Sequence, residues 1–170
     1  DLRPLKTLTG CVRTYGLDHG LDAVPTIARQ LGMRVVLGAW IGRDTAANQQ
    51  QLTRALALCR EHADVIDLLV VGNEVLLRRE LTPEALAALL AQARQGTKVP
   101  IAYADVWEFW QRHASVLRPH VDVVAAHVLP FWEDEPVAVE DAVAHVRSIA
   151  TRLAASMAPT TTAEPLMSWC

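Results

Sequence analysis

Five aliphatic segments recur along this chain, and after most of them apolar residues follow at helical spacing. The segments lie at residues 10–16, 33–38, 66–75, 99–104 and 121–126. Short aliphatic runs without polar alternation are typical of strands buried on both faces, as in parallel sheets covered by helices. Strands that alternate with helices long enough for right-handed crossovers predict a parallel sheet. The sequence therefore predicts an α/β fold.

The predicted helices carry recognisable boundary signals. One spans 22–31, where Pro25 is tolerable only in the first turn, and another spans 45–63. A third has Thr82 as N-cap, Pro83 at its first position and Gly96 as its stop. The last is amphipathic, with its apolar positions between 139 and 153.

The strand ends favour a barrel over an open nucleotide-binding sheet. No Gly-x-Gly-x-x-Gly or Walker loop follows any predicted strand. Aromatic or ionisable residues stand there instead: Tyr15, Trp40, Glu74, Trp107, His127 and Trp132. In a (β/α)8 barrel, many strand ends contribute such groups to one face. We therefore predict a (β/α)8 barrel.

Glu74 is the leading candidate for a catalytic residue. The longest aliphatic run ends abruptly in Gly72, Asn73 and Glu74, and the carboxyl ends of parallel strands open onto the ligand site. A structural role is the alternative, in which Glu74 caps the next helix or pairs with Arg78 or Arg79. Spacing alone leaves both interpretations open.

Composition excludes several classes of function. A formal net charge of −3 argues against a nucleic-acid surface. The histidines and cysteines show no metal-ligand spacing, and no motif indicates a cofactor. There is no apolar stretch of membrane-span length and no signal-peptide pattern.

The tryptophans favour a carbohydrate ligand. Only 5% of the residues are aromatic, yet Trp40, Trp107, Trp110 and Trp132 all fall at or just after predicted strand ends. Flat aromatic faces stack on sugar rings, while Asn, Asp, Glu and His bind hydroxyl groups. The alternative is that these tryptophans only cover the core beneath loops.

Five segments give the chain a family resemblance. They read Arg13-Thr14-Tyr15-Gly16, Gly38-Ala39-Trp40, Val71-Gly72-Asn73-Glu74-Val75, Ala104-Asp105-Val106-Trp107 and His127-Val128-Leu129-Pro130-Phe131-Trp132-Glu133. In this order they resemble glycoside hydrolase family 17, in its bacterial type, from about residue 2 to about residue 153.

The resemblance implies a (β/α)8 barrel that cleaves β-1,3-glucan with retention. Glu74 matches the general acid/base of the family, and Asn73 would bind the 2-hydroxyl of the sugar at the cleavage point. Arg13 would hold a catalytic carboxylate in place, unless it forms a purely structural ion pair. The implied cleft is lined by Tyr15, Trp40, Asp105, Trp107, His127, Phe131 and Trp132.

The family pattern is less well matched near the end of the chain. A retaining enzyme needs a second carboxylate as nucleophile, and Glu164 is the candidate. The Gly-Trp-Pro that follows the family's nucleophile is absent here, and threonines precede Glu164. We therefore expect residues 1–170 to form one partial barrel domain whose first and eighth strands are missing. Residues 159–170 would be a divergent tail in place of the seventh strand.

Several functions remain open at this point. The same site could transfer a glycosyl unit to a sugar hydroxyl, because hydrolysis and transglycosylation differ only in the acceptor. Without a nucleophile the chain would be a non-catalytic glycan-binding remnant or an inert fragment. It could also belong to a larger membrane-associated protein, and the substrate class implies an extracytoplasmic location.

Overall fold

The computed structural model describes residues 1–157, so Glu164 and the predicted tail at 159–170 lie outside the described residues. Its strands are β1 (Cys11–Arg13), β2 (Arg34–Ala39), β3 (Ile66–Asn73), β4 (Ile101–Val106) and β5 (Val123–His127). All neighbouring pairs are parallel, and the strands follow one another in chain order. The sheet curls into half a barrel, which confirms the predicted α/β fold and incomplete (β/α)8 barrel.

Helices connect the strands on the outside of the sheet. They are α1 (Arg3–Lys6), α2 (Val24–Leu31), α3 (Thr45–Glu61), α4 (Pro83–Gly96), α5 (Trp107–Leu117) and α6 (Ala142–Met157). The Thr82 hydroxyl caps α4 by accepting from the Ala85 amide at 3.2 Å, and α4 ends at Gly96 as predicted. A short 3₁₀ turn, Leu21–Ala23, precedes α2, so the α-helix begins later than the predicted residue 22.

The strand side chains form two layers, which explains their unbroken aliphatic sequences. One layer packs between the sheet and the helices and includes Leu37, Leu69 and Ile101. The other lies on the concave face of the sheet, the inside of the half-barrel, and includes Leu68 and Val70. Because successive strand residues point to opposite faces, both sets of positions must be apolar.

Within residues 1–157, no helix combines the length and the apolar character that crossing a bilayer requires.

Candidate active site

The carboxyl end of β3 forms a tight corner that presents Glu74. Gly72 has a φ of 84° and Glu74 a φ of 55°, both in the left-handed region. A Cβ on Gly72 would lie 2.7 Å from Cγ2 of Val75, so only glycine fits there. The Glu74 amide donates to the Ala104 carbonyl at 2.7 Å, which fixes the corner to β4. Left-handed backbone at a residue other than glycine is costly and is concentrated at functional sites.

Glu74 is paired with a histidine from another strand. His127, the last residue of β5, brings its Nδ1 to 2.8 Å from Oε1 of Glu74. The two side chains are 21% and 29% exposed, so solvent reaches the pair. Oε2 of Glu74 has no hydrogen-bond partner among the described residues. The alternative pairing with an arginine is not found in this part of the chain, because Arg78 binds Glu80 at 2.6 Å.

Arg13 and Asn73 form the second contact at the strand ends. Nη2 of Arg13 donates to Oδ1 of Asn73 at 2.9 Å, so in the described structure Arg13 holds this amide rather than a carboxylate. The guanidinium also lies 4.6 Å from the centre of the Tyr15 ring. Its Nε is buried and has no partner within residues 1–157. The pair links β1 to β3 next to Glu74.

Asp105 does not line the cleft, which corrects the expectation from sequence. It is 0% exposed, and it accepts hydrogen bonds from the Tyr103 hydroxyl and the amides of Leu76, Leu77 and Val106. Burial raises the pKa of Asp105, while these hydrogen bonds work in the opposite direction. Burial also raises the pKa of Tyr103, and the neighbouring Asp105 adds to that effect. Asp105 therefore holds the loop that follows Glu74, through the amides of Leu76 and Leu77.

The aromatic residues divide into exposed and packed sets. Among the predicted cleft residues, the exposed ones are Tyr15, Trp40, Phe131 and Trp132. Trp107 is half-buried against the core, with Arg152 5.1 Å from its ring centre. Trp110 is fully buried and donates to the Ala125 carbonyl at 3.2 Å. The alternative that these tryptophans only cover the core thus holds for Trp110 and partly for Trp107.

Arg78 joins the ends of β2 and β3, a role that the sequence did not reveal. It donates to the carbonyls of Asn73 and Ile41, the latter at 3.0 Å. Its guanidinium lies 4.4 Å from the centre of the Trp40 ring and is held by the carboxylate of Glu80. The only sequence signal was a cation shortly after a strand end, which is common.

A second carboxylate–histidine contact holds the segment that carries Phe131 and Trp132. Oε2 of Glu133 lies 2.6 Å from Nε2 of His145 on α6. Oε1 of the same carboxylate accepts from the Leu129 amide at 3.0 Å. The sequence placed Glu133 in a family motif but did not indicate its partner. This pair fixes the aromatic turn against α6.

Among the residues that the structure describes, no group of three or more His, Cys, Asp or Glu side chains is arranged to hold a metal ion.

Comparison with known proteins gives one family. Residues 1–164 match the model of the BtgE/BtgC glycoside hydrolase domain. The chain is 27% identical over 135 residues to a probable beta-glucosidase btgE of Aspergillus clavatus, covering 76% of this chain and 24% of that protein. It is 28% identical over 151 residues to the glucan endo-1,3-beta-glucosidase btgC of Emericella nidulans, covering 78% and 22%.

Solved structures give the same fold. The glycoside hydrolase family 17 beta-1,3-glucanosyltransferase of Rhizomucor miehei superimposes with a TM-score of 0.77 at 25% identity, over 92% of this chain and 59% of that one. An active-site mutant of a Rhizomucor miehei beta-1,3-glucanosyltransferase in complex with laminaritriose matches with the same TM-score at 26% identity. This chain thus spans about a quarter of the curated relatives and 59% of the solved structure. These relatives are fungal and support the family, not the bacterial type.

Proposed function

The chain belongs to the family of BtgE/BtgC glycoside hydrolase domains, and we propose that it hydrolyses β-1,3-glucan with retention, with Glu74 as the general acid/base. The observation that carries the proposal is the corner at the end of β3, where Glu74 is held by His127 and keeps one carboxylate oxygen free among the described residues. Relatives named as a glucan endo-1,3-beta-glucosidase and a beta-1,3-glucanosyltransferase support the substrate class.

In the first step the free oxygen of Glu74 gives its proton to the departing glycosidic oxygen. A second carboxylate attacks the anomeric carbon, so that a covalent glycosyl-enzyme forms as the glycosidic bond breaks. Glu164 is our candidate for that nucleophile, on the family resemblance alone. His127 positions Glu74 by holding Oε1, which leaves Oε2 to face the substrate.

In the second step Glu74, now a carboxylate, takes a proton from water. The hydroxide equivalent attacks the anomeric carbon and releases the nucleophile, which returns the enzyme to its starting state. Asn73 binds the 2-hydroxyl of the sugar at the cleavage point, and its Oδ1 is oriented by Arg13. The exposed Tyr15, Phe131 and Trp132 provide stacking surfaces for neighbouring glucosyl units.

Transglycosylation is the second candidate, and it uses the same first step. A sugar hydroxyl replaces water in the second step and leaves the product chain longer. The likeness to a beta-1,3-glucanosyltransferase over 92% of this chain favours this candidate. Product analysis by mass spectrometry separates the two, because only transfer yields oligosaccharides longer than the substrate.

The test of the acid/base is the release of reducing ends from a soluble β-1,3-glucan. We expect Glu74→Gln to lower release by about 10²–10⁴-fold, since the amide cannot transfer the proton. Glu164→Gln should abolish release equally if Glu164 is the nucleophile. Glu84→Gln is the matched control, because Glu84 lies in the first turn of α4 and outside the site, and it should retain activity.

Three outcomes decide the proposal. Loss of activity in Glu74→Gln with retention in Glu84→Gln supports it. Equal activity of Glu74→Gln and the unsubstituted chain rules out Glu74 as the acid/base. A folded chain that binds the glucan without releasing or extending products overturns the enzymatic function and leaves a glycan-binding remnant.

A further inference from the structure

The direction of the Glu74 side chain is set by the two peptide groups that flank its Cα. The peptide between Asn73 and Glu74 is held at both ends: its N–H donates to the Ala104 carbonyl at 2.7 Å, and its carbonyl accepts from Nη1 of Arg78. The carbonyl of Glu74 accepts from the Arg78 amide at 2.9 Å, which holds the second peptide. Because φ and ψ describe how these two planes turn about the Cα, holding both planes fixes the direction of the Cα–Cβ bond.

The bond from the Arg78 side chain matters because Glu74 has an unfavourable backbone conformation. Its φ of 55° lies in the left-handed region, which a residue other than glycine keeps only where the surrounding structure holds it. Of the three bonds that hold the flanking peptides, the one from Nη1 comes from a side chain and the other two from the backbone. A substitution of Arg78 therefore removes one support of this conformation and leaves the other two donors in place.

The guanidinium of Arg78 is itself anchored to the neighbouring strand. Nη2 donates at 3.0 Å to the carbonyl of Ile41, two residues after the end of β2. Oε2 of Glu80 accepts from Nε at 3.0 Å and from Nη2 at 2.6 Å. A planar guanidinium presents its donors in a rigid arrangement, so these acceptors fix its orientation. Arg78 thus ties the peptide before Glu74 to the end of β2.

Glu80 takes up the charge of Arg78 and leaves Glu74 to its own contacts. The chain turns back after Glu74, and the Glu80 amide donates to the Val75 carbonyl at 3.0 Å. This turn brings the Glu80 carboxylate to Arg78, where the two side chains are 20% and 25% exposed. An ion pair between Arg78 and Glu74 would instead engage the carboxylate that the first step uses. In the described structure Glu74 contacts His127 through Oε1, and Oε2 stays open.

We propose that Arg78 is a positioning residue for Glu74: its side chain holds the peptide before Glu74 and thereby aims the open carboxylate oxygen at the departing glycosidic oxygen. This role rests on the proposed function, because Arg78 acts through the acid/base and transfers no proton itself. A displacement of about 1 Å at a reacting group can cost about 10²-fold in rate. Loss of the Arg78 side chain should therefore be visible in the step that needs the acid.

The test compares two substrates that differ in their need for an acid. Laminaritriose needs a proton on its departing sugar oxygen, whereas the 2,4-dinitrophenyl β-glycoside of laminaribiose releases a stable phenolate without one. Arg78→Met should lower kcat/KM on laminaritriose by about 10²-fold and leave kcat/KM on the dinitrophenyl glycoside nearly unchanged. Arg79→Met is the matched control and should leave both values unchanged, because Arg79 is exposed and its side chain has no partner within residues 1–157.

A second readout does not need turnover. In protein with ¹⁵N-labelled histidine, the chemical shift of His127 Nδ1 at one fixed pH reports its contact with Glu74. Arg78→Met should move this resonance toward its position in Glu74→Gln, and Arg79→Met should not. A role of Arg78 in stability alone would lower the urea midpoint of Arg78→Met and leave the resonance of the folded variant in place.

The outcomes separate the positioning role from the proposed function. Equal losses of Arg78→Met on both substrates overturn the positioning role, since the loss would not pass through the acid. An unchanged His127 resonance overturns it as well. If the unsubstituted chain acts on neither substrate, the proposed function fails, and the His127 resonance alone decides whether Arg78 holds Glu74. If Arg78→Met does not fold, the double variant Arg78→Met, Glu80→Gln removes the carboxylate left without a partner, and the same results are expected of it.

Discussion

Asp105 gives the folded protein a pH-dependent stability of known sign. Burial raises its pKa above the unfolded value, near 3.9, so the folded state binds this proton more tightly. The stabilising contribution is fully present below the unfolded pKa and is lost as the pH rises through the folded pKa. The Asn side chain of Asp105→Asn cannot titrate. The difference in unfolding free energy between the unsubstituted chain and this variant should therefore decrease as the pH rises from the unfolded to the folded pKa of Asp105.

Urea unfolding at a series of pH values measures this difference. The amide introduced by Asp105→Asn keeps one acceptor for the backbone N–H groups after Glu74, so its remaining effect should not vary with pH. Tyr103→Phe removes a donor that favours the charged carboxylate, so it should raise the folded pKa of Asp105 further and extend the upper end of the window to higher pH. A difference that stays constant or grows with pH would contradict the raised pKa.

Individual residues mark the limit of what the sequence could predict. A glycine and a carboxylate after an aliphatic run were enough to place Glu74 at the carboxyl end of a parallel strand, which is the edge of a sheet where ligands bind. The sequence did not predict that Glu74 contacts His127, a residue far along the chain, nor that Asp105 faces inward. Such partners depend on the rotation of each strand end, which local patterns do not encode.

At the scale of elements, the turn at 129–133 depends on its contact with α6. Glu133 binds both the Leu129 amide and His145, and its side chain is only 11% exposed. Glu133→Ala should lower the unfolding free energy by about 1–3 kcal/mol, because a partly buried charged acceptor is lost. Amide hydrogen exchange of residues 129–133 should accelerate, and oligosaccharide affinity should fall because Phe131 and Trp132 are no longer held.

Glu135→Ala is the matched control for this turn. Glu135 is exposed and has no hydrogen-bond or ion-pair partner among the described residues. Its replacement should leave both exchange and affinity unchanged. Equal exchange rates in the two variants would show that the Glu133–His145 pair does not hold the turn.

The elements themselves were predictable because two strong signals coincide. Aliphatic runs marked the strands, and Thr82, Pro83 and Gly96 marked both ends of α4. The concave layer of the sheet requires apolar residues where a one-sided sheet would have polar ones, which is why the strands lacked alternation. The partners of Arg78 and Glu133 were missed, since surface charges near strand ends have many possible partners.

At the scale of the molecule, the half-barrel has two outer strands that favour association. In the described residues β1 pairs only with β2, and β5 pairs only with β4, so each presents an edge. For residues 1–170 expressed alone, we expect the sedimentation coefficient to rise with protein concentration. Ala125→Lys places a charge on the concave side of β5 and should reduce this rise, because natural sheets use inward-pointing charges to block edge pairing.

Ala125→Ser, similar in size but uncharged, is the control and should associate as the unsubstituted chain does. A monomer at every concentration, or equal association of both variants, would show that the strand edges are protected by another part of the chain.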